Sequence, residues 1–156
     1  MGGIIVVSSE GSGAESVPDV SVKDTWEQLE RVKDSVLIDV RTQAEWAFVG
    51  VPDLSKLDKR VLTIEWQRFP DSQVDARFVE KTEDALSQLG ATKKDTALFF
   101  ICRSGARSRA AAEAMVAAGY VSCINVAEGF EGPLNADRHR GSTAGWKASG
   151  LPWAQG

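Results

Sequence analysis

The sequence predicts an α/β domain in which helices cover both faces of a parallel sheet. Two observations carry this. Residues 35–41 (SVLIDVR) and Ala97–Ile101 (ALFFI) are near-continuous apolar runs, the signature of strands buried on both faces. Stretches with helical spacing lie between and after them, and strands that alternate with helices are laid down parallel. A third observation places the chemistry. These runs end in polar residues, and in such sheets sites lie outside the carboxyl ends of the strands. Asp39 with Arg41, Glu65 with Trp66, and Cys102 are therefore expected to converge at one edge.

In chain order, residues 1–16 read as a loose arm, with an edge strand at 4–7 (IIVV) as the alternative. The domain is expected over residues 17–154. Residues 20–22 read as an entering strand. Ser21 or Asp24 caps a helix to about Arg31, with Trp26 and Leu29 facing inward. After the 35–41 strand, residues 42–46 read as one helical turn and 50–53 as a turn. Residues 60–66 (RVLTIEW) are β-branched and alternating, hence a strand. Residues 67–75 are polar, contain a proline and read as a loop. Phe78, Val79, Ala85, Leu86 and Leu89 recur at helical spacing within 76–89, and Gly90 ends that helix. Then come the Ala97–Ile101 strand, a glycine-containing turn from Cys102, a helix over 107–118 stopped by Gly119, and a last strand, Ser122–Val126. Residues 128–141, rich in Gly, Pro, Asn and Asp, lead to a short segment at 146–149 and the tail GLPW at 150–153.

Composition narrows the function classes. With 156 residues the chain fits one domain and can bury a core without staples. A net charge of -4 argues against general attraction to nucleic acid or to an anionic membrane. The arginines near Cys102 then need a local explanation. Two cysteines make neither a disulfide framework nor a CxxC metal pair, which fits a reducing compartment. No run approaches the ~18 apolar residues of a membrane span. The first residues lack the basic region and long apolar stretch of a signal peptide. A cytoplasmic location is expected.

The richest stretch is 97–120 (ALFFICRSGARSRAAAEAMVAAGY). It sets Cys102 at the end of a strand and the mouth of a helix. Helix N-termini and nearby cations favour the thiolate, the reactive form of cysteine. Gly105 lets the backbone turn so that successive amides, from Arg103 through Ala106, point inward as an anion nest. Ser104 and Ser108 can add hydroxyl donors. Arg103, Arg107 and Arg109 follow closely, and a guanidinium grips an oxyanion in bidentate fashion. The alternative is a buried structural cysteine before an ordinary helix. The C-R-x-G-x-R spacing between strand and helix weighs against it. Cys123 lies within a strand without basic neighbours and reads as core.

These residues resemble a rhodanese-like domain over 17–153. The resemblance is carried by Asp39-Val-Arg41 followed by Glu45-Trp46, by CRSGARS at 102–108, by NVAEGF at 125–130 and by GLPW at 150–153. It implies a five-stranded parallel sheet flanked by helices, and sulfur transfer through a cysteine persulfide with no metal and no organic cofactor. Cys102 matches the persulfide-forming cysteine. Arg103 and Arg107 match positions that shape the loop and hold an anionic donor such as thiosulfate, with Ser104, Gly105, Ala106 and Ser108 completing the cradle. Asp39 and Arg41 match a pair under the rim, Asp39 as support and Arg41 either as a salt-bridge partner or in contact with the donor. Two departures stand out. The family's GHIPGA-like segment is GVPDL at 50–54, without histidine, and 137–141 (DRHRG) looks like an added loop. Trp46, Trp66 and Phe130 either rim the pocket or pack in the core.

The expected cycle is nucleophilic. Cys102 takes sulfur from a small anionic donor and passes it to cyanide, a small thiol or a protein thiol. His139, the single histidine, sits in a loop away from Cys102 in sequence and reads as a surface residue. A phosphatase or arsenate reductase loop places its arginine six positions after the cysteine; here that position is Ser108 and the arginine comes one earlier. A different class of answer is a relay or redox-sensing module that docks on a partner protein through the same cysteine.

Overall fold

A computed structural model of the chain describes residues 17–68 and 71–155. The arm at 1–16, including the alternative strand at 4–7, lies outside the described residues. The strand order is β1-β6-β5-β2-β4, all parallel, with β1 Asp19–Val20, β2 Ser35–Asp39, β4 Leu62–Thr63, β5 Ala97–Ile101 and β6 Ser122–Val126. This is the five-stranded rhodanese-like sheet that the sequence leads one to expect. Between these strands run α1 Val22–Arg31, α2 Gln43–Val49, α3 Phe78–Gln88 and α4 Ala106–Ala117. A short antiparallel pair, β3 Val51–Pro52 with β7 Trp153–Ala154, stands apart from the main sheet.

The central strand explains why both faces carry helices. All five residues of β5 are buried, and alternate side chains leave in opposite directions. Leu98, Phe100 and then Cys102 join a cluster with Phe78 and Leu86 of α3 and Ala111, Ala112 and Met115 of α4. Ala97, Phe99 and Ile101 join Val22 and Leu29 of α1, with Phe130 and Trp146, on the other face. At roughly 2 kcal/mol for each large side chain removed from water, these two layers dominate the stability of the fold. No helix among the described residues is long and apolar enough to cross a membrane.

Several boundaries differ from expectation, each for a local reason. The entering strand is Asp19–Val20, not 20–22, because Ser21 already caps α1. Its Oγ accepts the Asp24 amide at 3.0 Å, which settles the cap between the two candidates. Residues 42–46 are not one turn but the start of α2. Thr42 and Glu45 form a capping box, and Gly50, at φ 108°, closes the helix. The expected turn at 50–53 contains β3. The 60–66 strand contracts to Leu62–Thr63, although Ile64 and Trp66 still donate their amides to Asp39 and Val40. Leu89, expected inward, is exposed just beyond α3. Trp66 packs edge-on against Phe78 at 5.1 Å, and Phe130 is wholly buried, so neither rims a pocket.

Candidate functional site

Cys102 is the first residue after β5, where the sheet ends and α4 is about to begin. The intervening turn is fixed by glycine. Gly105 adopts φ 110°, and a Cβ there would stand 2.4 Å from the Ala127 carbonyl oxygen. Both facts exclude a side chain. This bend brings the Gly105 amide to 3.1 Å from the Cys102 sulfur. The residue itself is only 1% exposed.

A second segment shapes the turn from behind. Phe130 donates its amide to the Cys102 carbonyl at 2.8 Å, and Glu131 and Gly132 donate to the Arg103 carbonyl at 3.0 and 3.1 Å. In a trans peptide the N–H points opposite to the C=O. The Arg103 and Ser104 amides therefore face away from 130–132. Gly129, at φ 73°, permits this approach, since a Cβ would meet the Arg103 carbonyl oxygen at 2.4 Å. The first-turn amides of α4 add donors without intrahelical acceptors, at the positive end of its dipole.

Ser108, one turn into α4, is buried and stands 3.2 Å from the Cys102 sulfur. Its hydroxyl oxygen is also 2.6 Å from Asn125 Oδ1. The amide orientation of Asn125 is set by its Nδ2, which donates to the Asp19 carboxylate at 2.9 Å and to the Gly105 carbonyl at 3.2 Å. Arg109 pairs with the same carboxylate of Asp19. Cys102 is thus connected to the surface through Ser108, Asn125 and Asp19. In the sequence Asn125 is only the first residue of NVAEGF, because its partners lie on other elements.

Arg107 does not project freely. Its two terminal nitrogens donate to the two Glu45 oxygens at 2.8 and 3.0 Å, and both side chains are only 20% exposed. Burial pushes the Glu45 carboxyl up, but the Arg107 hydrogen bonds, the Thr42 amide and the positive charge outweigh it and hold the group at about 2. One carboxylate therefore caps α2 and anchors the Cys102 loop through Arg107. The signal was present as the T-x-x-E box at 42–45, which marks a helix start without naming the distant partner.

Arg41, expected either as a salt-bridge partner or in contact with the donor, is fully buried and takes the salt-bridge role. Its Nε and Nη2 donate to the Asp39 carboxylate, the closest approach being 2.7 Å, and Nη2 also donates to the Gly50 carbonyl at 2.7 Å. The guanidinium lies 4.2 Å from the Phe130 ring centroid. Arg41 thus braces the β2 end, the close of α2 and the segment behind the loop. Arg103 and Ser104 are exposed, and Ala106 opens α4 on the surface. A cavity of about 720 Å³ adjoins the loop, with Arg103, Arg107 and Glu45 in its wall. Cys123 sits elsewhere, on β6, where burial pushes its thiol up to about 12.

Comparison with known proteins agrees with this architecture. The chain is similar to Rv0390 of M. tuberculosis, whose crystal structure superposes with a TM-score of 0.79 at 42% identity, covering 90% of this chain and 98% of that one. It is 40% identical over 120 residues to the uncharacterized protein RP600 of Rickettsia prowazekii, covering 77% of this chain and 83% of that protein. More distantly, it is 25% identical to a sulfurtransferase of Allochromatium vinosum, covering 87% of this chain and 94% of that protein. The fold, at 23% identity and a TM-score of 0.55, is also that of the polysulfide-sulfur transferase homodimer of Wolinella succinogenes, covering 92% of this chain and 82% of that one. Residues 18–156, which hold the whole Cys102 site, match one family throughout, and the chain belongs to the STR4 middle domain family.

Proposed function

We propose that this chain is a sulfurtransferase that moves sulfane sulfur through a Cys102 persulfide, from an anionic donor such as thiosulfate to a thiophilic acceptor. The observation that carries the reading is the Gly105 amide 3.1 Å from the Cys102 sulfur, within a loop whose Cys102 and Arg103 carbonyls are drawn outward. The Cys102 thiolate attacks the outer sulfur of thiosulfate. The sulfur–sulfur bond breaks and sulfite leaves with the electron pair. The new outer sulfur then carries the negative charge, which the inward amides and the α4 dipole stabilise. Cyanide, a small thiol or a protein thiol attacks that sulfur and releases the Cys102 thiolate.

Asp39 and Arg41 support the site from below in this reading. Arg107 holds the loop through Glu45, and Arg103 is the loop arginine available to an anion. Ser108 occupies the position where a phosphatase loop would carry arginine, and it donates its hydroxyl to Asn125 Oδ1 at 2.6 Å. The test is intact-mass measurement after thiosulfate treatment. One added sulfur atom, mapped to Cys102, is expected. An unchanged mass together with phosphate-ester turnover would replace this reading with the phosphatase one.

A further inference from the structure

The 137–141 loop, which stands out in the sequence as an addition, shares a cavity with Gln67, Arg68 and Ser72 and with Arg103 and Arg107 of the Cys102 loop. With the nucleophile loop they put five arginines in its wall: Arg68, Arg103, Arg107, Arg138 and Arg140. Two carboxylates share that wall, Glu45 and Glu131, and Glu45 is engaged with Arg107. Among the described residues Arg68, Arg103 and Arg138 form no ion pair, and Arg140 donates to the Gly132 carbonyl at 2.8 Å. In a chain of net charge -4 this is a pronounced local excess of positive charge.

Backbone geometry singles out the same wall. Three non-glycine residues among those described adopt left-handed φ, and two of them, Ser72 and Arg138, line this cavity. Such a conformation is disfavoured for a residue with a side chain and persists where surrounding structure over-determines it. Here Asn135 provides that structure. Its Oδ1 accepts the Asp137 and His139 amides, each at 2.9 Å, and its carbonyl accepts the Arg138 amide at 2.9 Å. Gly141 ties the loop to the Glu131 carbonyl at 2.7 Å. The two loop arginines are therefore presented on a fixed support.

Size and charge together specify a ligand class. A cavity of about 720 Å³ falls within the range that encloses organic ligands of roughly 300–1,000 Å³ sites. Thiosulfate would leave most of a cavity of this size empty. We infer that the wall selects an organic persulfide carrying carboxylates several bonds away from its sulfur. The inference rests on the proposed sulfur transfer and names its donor. The Cys102 thiolate attacks the outer sulfur of the persulfide, the bond between the two donor sulfurs breaks, and the donor leaves as a thiolate that takes up a proton. No other reactant enters.

The test uses glutathione persulfide and its dimethyl ester, which share a scaffold and differ in the charge of the two carboxylates. Sulfur loading of Cys102 is followed by mass for the wild type and for the double variant R138A/R140A. Masking the carboxylates is expected to lower kcat/KM tenfold or more in the wild type, chiefly through KM, and less than threefold in the variant. The wild-type preference should shrink as ionic strength rises. Equal loading by both donors in the wild type, or the same ester penalty in both proteins, overturns the inference while leaving sulfur transfer intact. Failure of every donor to place sulfur on Cys102 overturns both.

Discussion

Cys102 and Cys123 are both free, both shut away from solvent and borne by neighbouring strands of one sheet. Burial does not separate them; their positions along the strands do. Cys123 lies inside β6, where the backbone is engaged in the ladder. Its thiol donates to the Tyr120 carbonyl at 3.8 Å, and desolvation pushes it up to about 12. Cys102 lies one residue beyond β5, where the chain has left the ladder and its amides are free to turn. It gains the Gly105 amide, the Ser108 hydroxyl and the start of α4. A thiol becomes a candidate nucleophile here by standing at a strand end, not by being accessible.

This contrast can be broken or sharpened by substitution. The largest effect is expected from Cys102→Ser, which should abolish sulfur loading while the thermal melt stays close to wild type; retained sulfite release in that variant would remove Cys102 from the mechanism. Next is Gly129→Ala. Its Cβ must displace the Arg103 carbonyl, and a shift of about 1 Å at the loop should slow loading roughly a hundredfold. Stopped-flow sulfite release measures it, and wild-type kinetics would show that the 129–132 segment does not shape the site.

A smaller effect is expected at the ion pair. Arg107→Ala should cost about 2 kcal/mol at pH 7, because it leaves the half-buried Glu45 carboxylate unpaired. The pH dependence follows from the lowered carboxyl. Its folded-state value of about 2 lies below the ordinary 4.5, so its contribution is complete above pH 4.5 and is lost as pH falls towards 2. Denaturation curves for wild type and Glu45→Gln should differ most near neutrality and converge in acid; a difference independent of pH would mean that charge is not the cause. The smallest effect is expected from Cys123→Ala, about 1 kcal/mol of stability with sulfur loading unchanged. Impaired loading there would make the second thiol part of the chemistry.

Much of this was legible in the sequence where the information is local. The β5 run, the following turn and α4 lie within 25 residues, and the order of strand, Cys102, Gly105 and helix specifies their geometry. The β6 boundaries were also readable, because SCINV sits between Gly119 and the Gly-rich segment. Legibility fails where a partner is remote. Glu45 and Arg107 are 62 positions apart, and Ser108 and Asn125 are 17 apart on different elements. No periodicity connects them. The choice between the two roles of Arg41 is undecided by the sequence for the same reason: its position at a strand end points to the site, while its direction is set by Asp39, Gly50 and Phe130 together.

The clamp behind the nucleophile loop also imposes an order of assembly. The amides that hold the Cys102 and Arg103 carbonyls come from Phe130, Glu131 and Gly132, which follow β6 in the chain. The first strand, β1, likewise has β6 as its partner in the sheet. During synthesis Cys102 therefore emerges well before the residues that give its loop a shape. A nascent chain therefore cannot give the Cys102 loop its final shape until residues 129–132 have been made and have docked behind it.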